Sequence, residues 1–128
     1  MTTTKPILKL NGAKVEAFCQ VCGERITADG HIWVNLRIVA QVEEVWEAKK
    51  DKTRWSLDEL AKMPDTAAWQ AHHLACDPEP DANAYEIPIG RIGTAAKLIG
   101  WTAHLMEKSW LSATDWDHVL REAGDANA

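Results

Sequence analysis

Apolar and polar positions along this chain follow the period of a strand near the N-terminus and the period of a helix later on. Ile7-Leu8-Lys9-Leu10 and Lys14-Val15-Glu16-Ala17-Phe18 flank Asn11-Gly12, a pair that tolerates the positive φ angles of a tight hairpin. Two short strands are predicted there, with Cys19 at the end of the second. Arg25-Ile26-Thr27 and Ile32-Trp33-Val34-Asn35-Leu36-Arg37 flank Asp29-Gly30, which predicts a second hairpin with Ile32, Val34 and Leu36 on its core face. From Ile38 to about Lys52 the period changes. Ile38, Val42, Val45 and Trp46 share one side of a predicted helix, with Gln41, Glu43, Glu44 and Glu47 on the other.

Lys49-Lys50-Asp51-Lys52 reads as a charged stop, and Ser56-Leu57-Asp58-Glu59 has the capping-box form that begins a short helix ending at Pro64. Between Ala67 and Cys76, helix and strand both fit. Asp77-Pro78-Glu79-Pro80-Asp81-Ala82-Asn83 is a loop by its prolines and polarity. Tyr85-Glu86-Ile87-Pro88-Ile89 predicts a short strand that Pro88 confines to a sheet edge. Ile92, Ala96, Ile99, Ala103 and Met106 recur at threes and fours and predict a helix with Gly100 as its weak point. Thr114-Asp115-Trp116-Asp117 caps a last helix that turns Trp116, Val119 and Leu120 inward. The expected architecture is α+β, a single domain over residues 1–128. A β-rich part (5–90) packs against a helical part (91–123), and a frayed tail follows from Gly124 (124–128).

At 128 residues, 46% of them hydrophobic, the chain can bury a real core. A net charge of −5 gives no general attraction for nucleic acid or an anionic membrane. The start, Met1-Thr2-Thr3-Thr4-Lys5-Pro6, lacks the apolar stretch of a signal peptide, and no apolar run is long enough to cross a membrane. A soluble cytoplasmic protein without membrane contact is therefore expected, its oligomeric state left open.

Three cysteines, two of them separated by only two residues, point in a reducing compartment to metal or redox chemistry rather than to a disulfide framework. In Cys19-Gln20-Val21-Cys22-Gly23 the glycine lets the backbone turn so that its amides face the thiolates, the form of a zinc knuckle. A structural zinc ion needs four donors, and the remaining cysteine, Cys76, has His73 three positions before it and His72 four. The expected ligands of one structural Zn2+ are Cys19, Cys22, His73 and Cys76, with His72 as the alternative to His73. A redox dithiol and unliganded buried thiols are the competing readings. The dithiol normally opens a helix in a βαβ setting, whereas glycine and a β-rich stretch follow here.

His31 at a hairpin turn, His104 and His118 on helices, and the tryptophans at 33, 46, 55, 69, 101, 110 and 116 read as structural or solvated rather than functional. No phosphate loop, nucleophile elbow or zinc-protease helix is present. A Cys3His set fills all four zinc positions, so no catalytic residue is assigned.

A knuckle, a hairpin and a second ligand pair near a helix start are similar to the treble-clef arrangement of zinc fingers. Across residues 15 to 122, the runs Cys19–Gly23, His72–Pro78 and Trp101–Lys108, with Thr114-Asp115-Trp116, resemble small Cys3His proteins encoded by actinobacteria and their phages. That resemblance implies a zinc-stabilised fold and assigns no activity. Treble clefs also underlie the HNH nucleases, where a histidine at a strand end activates the attacking water. His72-His73 fits that element, but the expected asparagine and histidine on a following helix are matched by Asn83 in a loop and by no histidine before His104. The leading expectation is a non-catalytic zinc-finger-type binding or regulatory protein acting on a protein partner. The alternatives are DNA binding through Lys49, Lys50, Lys52 and Arg54, and an HNH-like metal-dependent nuclease.

Overall fold

A computed structural model describes residues 6–49, 66–78 and 83–125. Its order is β1 (Leu8–Asn11), β2 (Lys14–Phe18), β3 (Arg25–Ile26), β4 (Gly30–Asn35), α1 (Leu36–Lys49), β5 (Gln70–His73), β6 (Ala84–Pro88), α2 (Ala95–Leu105) and α3 (Trp116–Asp125). Short 3-10 turns occupy Leu74–Cys76, Ile89–Arg91 and Leu111–Ala113. The described residues form a mixed α+β protein with two three-stranded antiparallel sheets, ordered β1-β2-β3 and β5-β4-β6. The expected short helix from Ser56 to Pro64, the charged stop beyond Lys49, and Trp55 lie outside the described residues.

The first hairpin forms as expected. Leu8 faces Ala17 and Asn11 faces Lys14, so the loop is Gly12-Ala13, one residue on from the Asn-Gly signal. Gly12 has φ 62° and no non-glycine residue among the described residues has positive φ, the pattern of a turn with glycine first.

The second hairpin does not form. β3 pairs with β2, whereas β4 leaves for the other sheet and lies between β5 and β6. Gly30 serves close approach rather than a turn: a Cβ there would sit 2.5 Å from both the His72 carbonyl oxygen and Ile26 Cγ2. As the central strand, β4 is buried on both faces, with Trp33 enclosed alongside Ile32 and Val34. β6 is an edge strand, as expected, and Pro88 sits at its end.

The side chain of Asn35 ends β4 and starts α1, its Oδ1 accepting the backbone N–H of Arg37 (2.9 Å) and Ile38 (3.3 Å). The helix therefore begins two residues before the expected Ile38. Val39 and Val42 face inward, whereas Ile38 and Trp46 are exposed, a shift from the expected stripe. In α2 the expected face is likewise displaced. Thr94 Oγ1 caps the helix by accepting from Lys97 N–H (3.1 Å), and Ala95 N–H donates to Ala13 of the first hairpin. Docked this way, α2 buries Leu98 and Leu105 and leaves Ile99 and Met106 about 70% exposed.

Thr114 Oγ1 accepts from Trp116 N–H (3.3 Å), and α3 buries Trp116, Val119 and Ala123 against β1 while Leu120 is half-buried. The helix continues through Gly124 to Asp125, where a frayed tail was expected from Gly124, and the remainder of that tail (126–128) lies outside the described residues. Trp69, Tyr85, Trp110 and Trp116 pack ring against ring, with Trp69 and Trp116 centroids 4.9 Å apart at 64°. Most described tryptophans are thus core or docking residues.

Gly30→Ala should destabilise the protein by about 1–3 kcal/mol, because backbone and a packed isoleucine would both have to yield. Denaturant midpoints of the two proteins measure this directly.

Candidate metal centre

β2 ends at Phe18, and the chain turns through Cys19–Glu24 before β3 returns along it. Gly23 N–H donates to the Cys19 carbonyl and Cys19 N–H to the Glu24 carbonyl, both at 2.9 Å. Gly23 adopts φ 76°, the conformation that the sequence pattern required of a glycine after the second cysteine. The resulting knuckle is fastened to the other sheet by one residue. Gln20 N–H donates to the Ala71 carbonyl (2.9 Å), and the Ala71 N–H donates back to Gln20 Oε1 (3.0 Å). This reciprocal pair holds the cysteine turn beside β5.

β5 alternates its side chains between two faces, and that alternation separates the two histidines. His73 turns to the thiols, with Nδ1 3.3 Å from Cys22 Sγ. Its Nε2 donates to the Arg25 carbonyl (3.1 Å), leaving the Nδ1 lone pair toward the sulfurs. A backbone acceptor on the far ring nitrogen is the usual way a ligating histidine is oriented. His72 turns the other way, is buried, and accepts from Trp33 Nε1 at Nδ1 (3.0 Å).

The 3-10 turn Leu74–Cys76 follows β5 at once, anchored by Leu74 N–H donating to the Asp29 carbonyl, and returns Cys76 to the same place. One ligating atom from each of Cys19, Cys22, His73 and Cys76 lies within 4.8 Å of the others, a cluster that could hold a metal ion. Cys19 is buried, His73 and Cys76 are partly covered and Cys22 is exposed.

The electrostatics fit a crowded set of thiols. Burial opposes ionisation of Cys19, but the amides of Cys22, His73 and Val21 and the His73 side chain together bring its pKa down to about 6. Burial and the neighbouring Cys19 and Cys22 push Cys76 up to about 11. The contact with Cys19 raises His73 despite its burial, aided by the Arg25 carbonyl and Asp29. Burial lowers His72, more than the nearby Asp77 raises it.

Of the other histidines, only His31 falls differently from expectation. His104 and His118 are exposed and lie beside Glu107 and Glu122 on their own helices or helix ends. His31, expected at a hairpin turn, is instead buried inside β4, where its Nε2 donates to Asp77 Oδ2 (3.1 Å). Sequence reasoning also passed over Gln20 and the Arg25 carbonyl. Gln20 stood in plain view between the cysteines, but a backbone acceptor leaves no residue-type signal.

Comparison with protein-family models, curated proteins and solved structures finds no match for this chain. Fold and site define a small α+β protein with a Cys3His cluster that could hold a metal ion. No helix among the described residues is long and apolar enough to cross a membrane.

Elemental analysis should find one tightly held metal ion per chain in the wild type and in His72→Ala, and loss of it in His73→Ala. His72→Ala should instead lose about 1–3 kcal/mol of stability, because Trp33 Nε1 is left buried without an acceptor. Metal retained in His73→Ala would show that the fourth ligand lies elsewhere.

Proposed function

We propose that this chain is a non-catalytic, zinc-stabilised binding module that acts through contact with another protein. The observation that carries the zinc reading is the convergence of three thiols and one oriented imidazole on a common point. A tetrahedral zinc ion with sulfur at about 2.3 Å and nitrogen at about 2.05 Å has S···N edges of about 3.6 Å. The 3.3 Å between Cys22 Sγ and His73 Nδ1 is close to that edge, so small side-chain shifts complete the coordination. Four protein donors leave zinc no position for a substrate or water, which argues for structure rather than catalysis. The treble-clef likeness lies in the knuckle. The second grip comes from a strand end and a 3-10 turn.

A protein partner is supported by a groove of about 370 Å³ along α2 and α3. Leu10, Leu98, Ile99, Met106, Leu120 and Ala123 contribute to its almost wholly apolar lining. Exposed Ile99 and Met106 on its wall are the kind of surface that an apolar segment of a partner covers. The resemblance to proteins of actinobacteria and their phages suggests a regulator of a host process as the setting. For DNA binding, the Lys50, Lys52 and Arg54 positions lie outside the described residues, as does the side chain of Lys49. For an HNH-like nuclease, His72 offers poor support, since it is buried and its Nδ1 is occupied by Trp33.

The metal-loaded protein should leave supercoiled plasmid intact in the presence of magnesium or manganese. Nicking that disappears in His72→Ala would overturn the non-catalytic reading. On the binding side, Ile99→Asp with Met106→Asp should shift stability by no more than about 0.5 kcal/mol per substitution. A photo-crosslinker at Ile99, in the cells that make the protein, should give one discrete protein adduct that Met106→Asp removes. No such adduct would remove the groove from the account.

A further inference from the structure

The face of β4 and β5 turned away from the thiols carries a second set of donors. His31 and His72 are cross-strand partners in the β4–β5 pair, and Trp33 faces Glu86 in the β4–β6 pair. Asp77 arrives there because it follows Cys76 at the end of the 3-10 turn. One ring nitrogen of His31 and one carboxylate oxygen each from Asp77 and Glu86 lie within 4.8 Å of one another. The side chains of His31 and Asp77 are only 7% and 5% exposed, whereas that of Glu86 is 47% exposed. Two donors are thus set in the protein interior, and the third opens the site to solvent.

We infer that His31, Asp77 and Glu86 form a second metal site, for a divalent cation of the manganese class, separate from the cysteine cluster. Three features carry the inference. The donors come from three different segments, namely β4, the turn after Cys76 and β6, so the fold rather than local sequence brings them together. Their spacing is within reach of an ion: two donors at about 2.1 Å and at right angles around a metal lie about 3.0 Å apart. His31 Nε2 and Asp77 Oδ2 are 3.1 Å apart, whereas Glu86 Oε2 is 3.7 Å from the opposite ring nitrogen, Nδ1, so an ion on one nitrogen must draw in the carboxylate that faces the other across a gap of no more than 4.8 Å.

The donor chemistry also differs from that of the first site. One imidazole and two carboxylates, with no sulfur, suit a harder, six-coordinate ion that completes its shell with water from the Glu86 side. Binding at Nε2 requires the neutral ring to carry its proton on Nδ1 instead, so the ion replaces the His31–Asp77 hydrogen bond with a metal bond to each group. His72 stands against the site as a positioning residue. Its Nδ1 is fixed by Trp33, and its ring senses both His31 and Asp77. The adjacent histidines of β5 would then serve different metals, His73 by ligation and His72 by support.

The competing arrangement is a metal-free bridge in which His31 links the two carboxylates, and a manganese titration distinguishes them. Manganese added to the purified full chain should leave the free-ion electron paramagnetic resonance signal until one ion per chain is bound. His31→Ala and Glu86→Gln should each weaken that binding by about tenfold or more. Glu86 is half exposed, so Glu86→Gln decides the matter even where His31→Ala fails to fold. Metal at the cysteine cluster, measured in parallel by elemental analysis, should be unchanged in Glu86→Gln, so that the two sites stand or fall separately. An undiminished free signal with manganese in excess would overturn the inference. So would a signal that falls equally in wild type and Glu86→Gln.

Discussion

The meeting of three thiols with His73 is the contact on which the rest of this structure turns, because it ties one sheet to the other. Cys19 and Cys22 follow β2 in the first sheet, while His73 ends β5 in the second. Fifty-one positions separate Cys22 from His73, and closing a loop of that size is entropically costly for an unlinked chain. Without a cation the cluster works against itself. The same environment that holds Cys19 near 6 pushes Cys76 toward 11, so these two sulfurs do not ionise together. A bound cation reverses that conflict by stabilising every thiolate at once. On this reading, metal-binding energy is folding energy for the junction between the sheets.

Around that junction the fold economises on residues. Gln20 sits between two ligands and also clamps Ala71, two positions before His73. Gly30 allows β4 to pass so close to β5 that the His72 carbonyl would strike any side chain there. β5 then uses its alternation to send His73 toward sulfur and His72 toward Trp33 and His31. Away from the junction, α2 and α3 pack on the first hairpin and leave an apolar groove open between them.

Much of the cysteine cluster was legible from spacing alone, since two short sequence intervals leave little freedom in which donors can meet. Choosing between His72 and His73 was harder, because helix and strand both fitted residues 67–76. The answer depends on a period of two that appears only once β5 pairs with β4. Asp29-Gly30 misled for a different reason: glycine can mark either a turn or a close approach, and only tertiary contacts tell them apart. Helix faces were misplaced where apolar residues run around more than one side, as with Leu98 and Ile99 in α2. Docking, not periodicity, then decides which face is buried. The second donor set escaped notice altogether, because His31, Asp77 and Glu86 are far apart in sequence and share no spacing rule.

X-ray absorption at the zinc edge of the purified, zinc-loaded protein tests the central claim most directly. The account predicts three sulfur scatterers at about 2.3 Å and one nitrogen at about 2.0–2.1 Å, in a four-coordinate shell. A shell with fewer than three sulfurs, or with a coordinated water, would contradict a closed Cys3His centre joining the two sheets.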